Sequence, residues 1–130
     1  MATINKFEDL EIWQLAREIC NKIFIITNKS HFYKDFSLKD QIRRSSGSIM
    51  DNISEGFERE GRKEFIQHLS ISKGSAGECR SQLYRALDRK YIITSEFDEI
   101  YNMLVLENQK IRSFINYLKK SNYKGMKYKS

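Results

Sequence analysis

The chain's two histidines, His31 and His68, limit what catalysis it could carry out. Glu64 and His68 stand four residues apart, once only. A carboxylate-bridged metal pair in a helical protein needs Glu-x-x-His twice and two further inward glutamates. No metal and no cofactor are therefore expected. Ser70 follows His68 by two residues, and such residues point apart on a helix. Cys79 has no histidine nearby in sequence to activate its thiol. The chain also lacks a glycine-rich phosphate loop, a Cys-x-x-Cys pair and a His-Glu-x-x-His motif. Neither an enzyme nor a small-molecule substrate is expected.

Binding chemistry is better represented. Arg43, Arg44, Arg59, Arg62 and Lys63 gather around one segment and the turn after it. The arginine fork suits phosphate, so these residues are candidates for contact with RNA or DNA. Acids Glu55, Glu58, Glu60 and Glu64 interrupt the group. A polar stripe of Gln41, Arg44, Ser48, Asn52 and Glu55 covers roughly a quarter of a helix circumference. Glu64, His68, Ser75, Glu78 and Gln82 form a matching flank on the next segment. A partly buried network is expected between the two, with Arg44–Glu78 or an Asn52 bond to backbone. A solvated flank is the alternative.

Charge is unevenly placed. The 130 residues hold 23 basic and 17 acidic side chains, for a net of +6. Lys119, Lys120, Lys124, Lys127 and Lys129 fall in residues 119–130, which contain no acid. Without these five, 18 basic residues face 17 acids, a net of +1. The end of the chain reads as a basic, disordered tail over 121–130. Lys119, Lys120 and Lys124 join the nucleic-acid candidates, and Tyr123 and Tyr128 would suit base stacking. A solubilising tail without a partner is the other reading.

Four amphipathic helices must position these residues. The first spans 9–28, capped by Asp9, with Ile12, Trp13, Ala16, Ile19, Cys20, Ile23 and Phe24 on one face. The loop over 28–36 carries Phe32, Tyr33 and Phe36, which should cover one end of the core. The second helix starts at Ser37, paired with Asp40 as a cap. Its stripe is Leu38, Ile42, Ser45, Ile49, Ile53 and Phe57. Gly61 should take the left-handed conformation in the turn that follows. The third helix runs from Arg62 to about Arg89, with Phe65, Leu69, Ser72, Ala76, Cys79, Leu83 and Leu87 inward. Ser95 and Asp98 should cap the fourth, which runs to about Lys120. Its inward residues are Phe97, Ile100, Tyr101, Leu104, Ile111, Ile115 and Leu118.

Ser45-Ser46-Gly47-Ser48 and Gly74-Ser75-Ala76-Gly77 lie inside the second and third helices. Glycine there costs up to ~1 kcal/mol against alanine, so close backbone approach is expected at these sites. Met103, Leu106, Phe114 and Tyr117 form surplus apolar surface on the fourth helix and are candidates for an oligomer interface. Leu15 and Ile25 are surplus on the first. Short connections favour an all-α, antiparallel up-down-up-down four-helix bundle over residues 1–120. Charges interrupt every apolar stretch before ~18 residues, so no membrane span is expected. The N-terminus has no signal-peptide core. The expected compartment is cytoplasmic, with Cys20 and Cys79 as free thiols.

Five stretches point to a known family. Residues 7–16, Phe-Glu-Asp-Leu-Glu-Ile-Trp-Gln-Leu-Ala, are the first. Residues 41–57, from Gln41-Ile42-Arg43-Arg44-Ser45-Ser46-Gly47-Ser48 to Asn52-Ile53-Ser54-Glu55-Gly56-Phe57, are the most distinctive. Lys63-Glu64-Phe65-Ile66-Gln67-His68-Leu69, Gly74-Ser75-Ala76-Gly77-Glu78 and Gln82-Leu83 continue the pattern. Over about residues 7–118 the chain resembles the bacterial four-helix-bundle proteins encoded in 23S rRNA intervening sequences. It departs from them in lacking a proline in the first loop and in its tail. The resemblance implies a homo-oligomer, notably a pentamer. It also implies kinship with the accessory protein of diversity-generating retroelements, which associates with nucleic acid and a reverse transcriptase. No catalytic residue carries over. The expected function is a non-enzymatic oligomer that binds nucleic acid through basic surface. The alternative is an oligomeric protein-interaction scaffold.

Overall fold

The computed structural model describes residues 4–121. The described residues are all-α, with four long helices and one short one. A 3-10 turn over Phe7–Asp9 leads into α1, Glu11–Thr27. Then come α2, Ser30–Lys34, α3, Phe36–Glu58, α4, Arg62–Asp88, and α5, Thr94–Lys120.

Each long helix packs against two others: α1 and α4 both contact α3 and α5. Along α1 and α5 the pairings run in opposite order, Glu11 with Lys110 at 3.1 Å and Lys22 with Glu99 at 3.2 Å. On α4 and α5, Phe65 meets Phe114 at 5.5 Å and Tyr84 meets Phe97 at 4.9 Å between ring centroids. One apolar core joins all four, from Ile12 and Ile19 through Ile49, Ile53 and Leu69 to Leu104 and Ile111. The α3 stripe is buried as its spacing predicts, Leu38, Ile42, Ser45, Ile49, Ile53 and Phe57 alike. On α4, Phe65, Leu69, Ser72, Ala76, Cys79 and Leu83 are buried and Leu87 is half-buried.

The helix ends differ from expectation in instructive ways. Asp9 falls in the 3-10 turn, and Leu10 takes the N-cap position of α1 without a side-chain bond. Asp35, not Ser37, caps α3, because its Oδ1 accepts from the Leu38 N–H at 3.1 Å. Arg89 at 2.7 Å and the Tyr91 hydroxyl at 2.9 Å hold its other oxygen. A carboxylate with that many partners outcompetes a serine for the cap. The Leu38 N–H, aided by Tyr91 and Arg89, holds the Asp35 carboxyl below its ordinary range against the opposing effect of burial. At α5 the cap is also displaced: Glu96 accepts from the Ile93 N–H at 3.0 Å and binds Lys29 at 2.6 Å, so Ser95 and Asp98 are not used. Gly61 is extended (φ −103°), and Glu60 takes the left-handed position instead with φ 61°.

Three side-chain expectations on α1 also change. Phe24 is 55% exposed, and Trp13 and Cys20 are half-buried. Of the loop aromatics, Phe32 alone fills the core; Tyr33 and Phe36 stay in solvent. The expected close approach at Gly47, Gly74 and Gly77 is absent, since a Cβ at any of them would meet nothing within 4 Å. The small residues at the α3–α4 contact are serines and Ala76. Among the glycines described inside the helices, the tight one is Gly56, whose Cβ would lie 2.7 Å from the His68 Cβ.

Candidate nucleic-acid interface

The polar flanks of α3 and α4 meet in a seam. At one end Arg85 donates to Gln41 Oε1 at 3.0 Å. Next, Ser45 donates to Gln82 Oε1 at 2.6 Å, and Ser75 to Ser48 Oγ at 2.9 Å. Ser72 donates to the Ile49 carbonyl at 2.8 Å. Asn52 Nδ2 donates to Ser48 O and Oγ, 3.0 Å each, so its Oδ1 accepts from His68 Nδ1 at 3.0 Å. That arrangement makes His68 Nδ1 the donor and leaves Nε2 3.9 Å from Glu55. Glu55 in turn binds Arg59 at 3.0 Å.

The structure therefore links Ser48, Asn52 and His68, with Glu55 beside them, while Gln41 bonds Arg85 in a separate pair at the other end of the seam. Satisfied buried polar groups of this kind fix helix register. The expected Arg44–Glu78 pair does not form. Arg44 binds Asp40 one turn away at 2.9 Å, and its side chain is 79% exposed. Glu78 is exposed on the opposite rim of a cleft of about 270 Å³ floored by Ser45, Ser48, Ser75 and Gln82.

The basic candidates do not gather at one place. Arg43 turns toward α1, donating to Thr27 Oγ1 at 2.9 Å and Asn28 Oδ1 at 3.1 Å. Arg44 leans over the seam. Arg59, Arg62 and Lys63 lie around the α3–α4 turn, some fifteen helical residues or ~23 Å away. Arg62 donates to the Ser121 carbonyl, which ties the end of α5 to the start of α4. Lys119 and Lys120 are exposed in the last turn of α5, where lysine complements the helix dipole. Lys124, with the rest of 122–130, lies outside the described residues.

The surplus apolar residues of α5 separate into two groups. Leu106, Phe114 and Tyr117 line a groove of about 860 Å³ with Ile4, Leu10 and Ile12 on its other wall. Asp9, Glu11, Gln109, Lys110 and Ser113 complete the lining. Met103 is not part of that wall and packs half-buried against the core.

Glu107 is the functional-type residue that the sequence reading misses. It is fully buried, and neither carboxylate oxygen has a hydrogen-bond partner among the described residues. Burial pushes its carboxyl up to about 9, with a small opposing pull from Lys110. The signal was present as a gap: the α5 stripe steps from Leu104 to Ile111 and leaves 107 as an inward position. Burial also raises the Cys79 thiol to about 12, which makes it a poor nucleophile at neutral pH. Among the described residues, no group of three His, Cys, Asp or Glu side chains could hold a metal ion. No described helix is long and apolar enough to cross a membrane.

Among the described residues, the chain is all-helical, with four long helices and a serine- and amide-rich seam between two of them. The chain belongs to the 23S rRNA-intervening sequence protein family, whose model matches residues 8–113. It is similar to a solved protein of unknown function from the S23 ribosomal protein family of Bacteroides thetaiotaomicron. The two share 27% identity over 80% of this chain and 97% of that one, with a TM-score of 0.74. No protein with a curated description matches the chain.

Proposed function

We propose that this protein is a non-enzymatic, homo-oligomeric, antiparallel up-down-up-down four-helix bundle that binds nucleic acid through basic surface. The opposed residue order in the α1–α5 and α3–α4 pairings supports the topology. We place the bundle in residues 1–120 and the protein in the cytoplasm, with the lysines of 121–130 adding to its positive surface. The observation that carries the binding reading is the state of Arg44, in α3, and of Arg59, at its C-cap. Arg44 and Arg59 are held only by exposed pairs one turn apart on their own helix. Such pairs are weak, so a phosphate can replace the carboxylate at little cost. The groove beside Leu106, Phe114 and Tyr117 supports assembly, with a pentamer as the form that the family resemblance suggests.

A salt series with a labelled structured RNA tests the reading. Log affinity should fall linearly with log salt. Replacing Arg44, Arg59, Arg62 and Lys63 by alanine should flatten a duplex slope by roughly three to four units at ~0.9 per contact. A chain ending at Leu118 isolates the part carried by the terminal lysines. Equal binding by wild type and the alanine variant would remove these residues from the interface. The same groove favours a second reading, an interaction scaffold whose apolar wall receives a protein. Absence of RNA binding at low salt, with one protein copurifying, would select it.

A further inference from the structure

We propose that the face shared by α1, α2 and the start of α3 is a stacking platform for single-stranded nucleic acid. This rests on the nucleic-acid reading above and adds the kind of strand bound. Large apolar side chains stand in solvent here: Phe24 is 55% exposed, Tyr33 46% and Phe36 67%. Rings left outside the core at this density mark a contact surface.

Cations are interleaved with these rings. The Lys39 ammonium lies 3.5 Å from the Tyr33 ring centroid and 4.8 Å from that of Phe36. The Arg43 guanidinium lies 4.7 Å from the centre of Phe24. Phe36, Lys39 and Arg43 are spaced three and four apart and so share one face of α3. The row therefore runs from Phe24 through Arg43 and Lys39 to Tyr33 and Phe36.

The charge on this row is uncompensated. Among the described residues, the ion pairs involve Lys22, Lys29, Arg44, Arg59, His68, Arg89 and Lys110, and neither Lys39 nor Arg43. The hydrogen-bond partners of Arg43 are the neutral Thr27 hydroxyl and the Asn28 amide, which orient the guanidinium without cancelling it. Asp35 and Asp40, the nearest acids in sequence, are held by Arg89 and Arg44.

Ring faces beside cations without a counter-charge fit one partner chemistry well. An apolar protein surface would strand Lys39 and Arg43 without water or a counter-charge. A nucleic-acid strand supplies an aromatic face and a phosphate in each repeat. The strand must be single, because paired bases hide their faces in the stack.

Fluorescence anisotropy with a labelled 20-nucleotide oligouridylate and a labelled 20-base-pair RNA duplex, at matched salt, tests this. The variants are Phe24→Ala/Phe36→Ala and Lys39→Gln/Arg43→Gln. All four residues lie outside the core, and a thermal melt confirms folding. The double phenylalanine variant should lose roughly 10-fold or more in oligouridylate affinity and less than twofold on the duplex. The Lys39/Arg43 variant should flatten the single-strand salt slope by roughly 1.4 units, at ~0.7 per contact. Unchanged oligouridylate affinity in the phenylalanine variant overturns the platform and leaves the broader reading intact. So does duplex binding without single-strand binding by the wild type. Binding of neither RNA overturns both. A phenylalanine variant that dissociates in sedimentation makes the face a subunit contact and overturns the platform.

Discussion

The α3–α4 seam and the α5 core handle buried polarity in opposite ways. In the seam, Ser45, Ser72, Ser75 and Gln82 are buried and each has a partner. In α5, Glu107 is buried just as fully and has none. Polar groups buried as partnered sets cost little and specify register, whereas one buried alone costs the full desolvation of that group. The seam thus reads as a register device. Glu107 reads as a stored liability that selection for stability alone would remove.

The largest expected effect follows from that contrast. The Glu107 carboxyl ionises near 4.5 in the unfolded chain and at about 9 in the folded one. The folded state therefore holds the extra proton. Its stability is fully present below pH 4.5 and is lost as pH rises toward 9. By pH 7 the cost accumulates to about 3 kcal/mol, at ~1.4 kcal/mol per unit. Glu107→Leu should remove it and raise the melting temperature at pH 7 by on the order of 10 °C. Glu107→Gln should flatten the stability-pH profile between pH 5 and 9. Calorimetry across that range decides: a wild-type profile as flat as that of the glutamine variant would mean Glu107 has a partner after all.

Two changes in the seam should cost less. Gly56→Ala forces a Cβ to within 2.7 Å of the His68 Cβ and 3.0 Å of Phe65. The His68 Cβ is fixed to the α4 backbone, so the helices must separate slightly. Overpacking of this kind costs about 2 kcal/mol. Urea titration would read it as a lower midpoint at constant slope. Gln82→Leu removes the acceptor of Ser45, but that hydroxyl can fall back on the Ile42 carbonyl, 3.2 Å away. The expected loss is therefore about 1 kcal/mol, well short of an orphaned hydroxyl. A loss as large as that of Gly56→Ala would show that the seam acts as one cooperative unit.

Much of this architecture was legible from spacing. The α3 and α4 stripes follow from apolar residues at three- and four-residue intervals, which only a helix brings to one face. What spacing does not carry is competition. Ser37 is a good cap, yet Asp35 displaces it because Arg89 and Tyr91, more than fifty residues away, fix its carboxylate. Arg43 and Arg44 are adjacent in sequence and one helix turns them to different neighbours, Thr27 and Asp40. Phe24 and Phe36 look like core residues by type, and tertiary packing gives the end of the core to Phe32 instead. Of the seam, spacing places Gln41, Ser48, Asn52 and Glu55 on one flank, while Glu78 stays exposed, Arg44 turns to Asp40 and Glu107 is buried for reasons that lie in tertiary packing.

The smallest effect sharpens the comparison within the seam itself. Gly56 and Gly74 both sit inside helices, and sequence gives no reason to treat them differently. A Cβ at Gly74 would meet nothing within 4 Å, and the residue faces solvent. Its only consequence is the extra backbone freedom of the unfolded chain. Gly74→Ala should therefore stabilise by about 0.5–1 kcal/mol, opposite in sign to Gly56→Ala. Paired denaturation curves for the two alanine variants read the difference directly. Destabilisation by both would mean that the 74–77 stretch touches something this chain alone does not contain, with a second subunit as the first candidate.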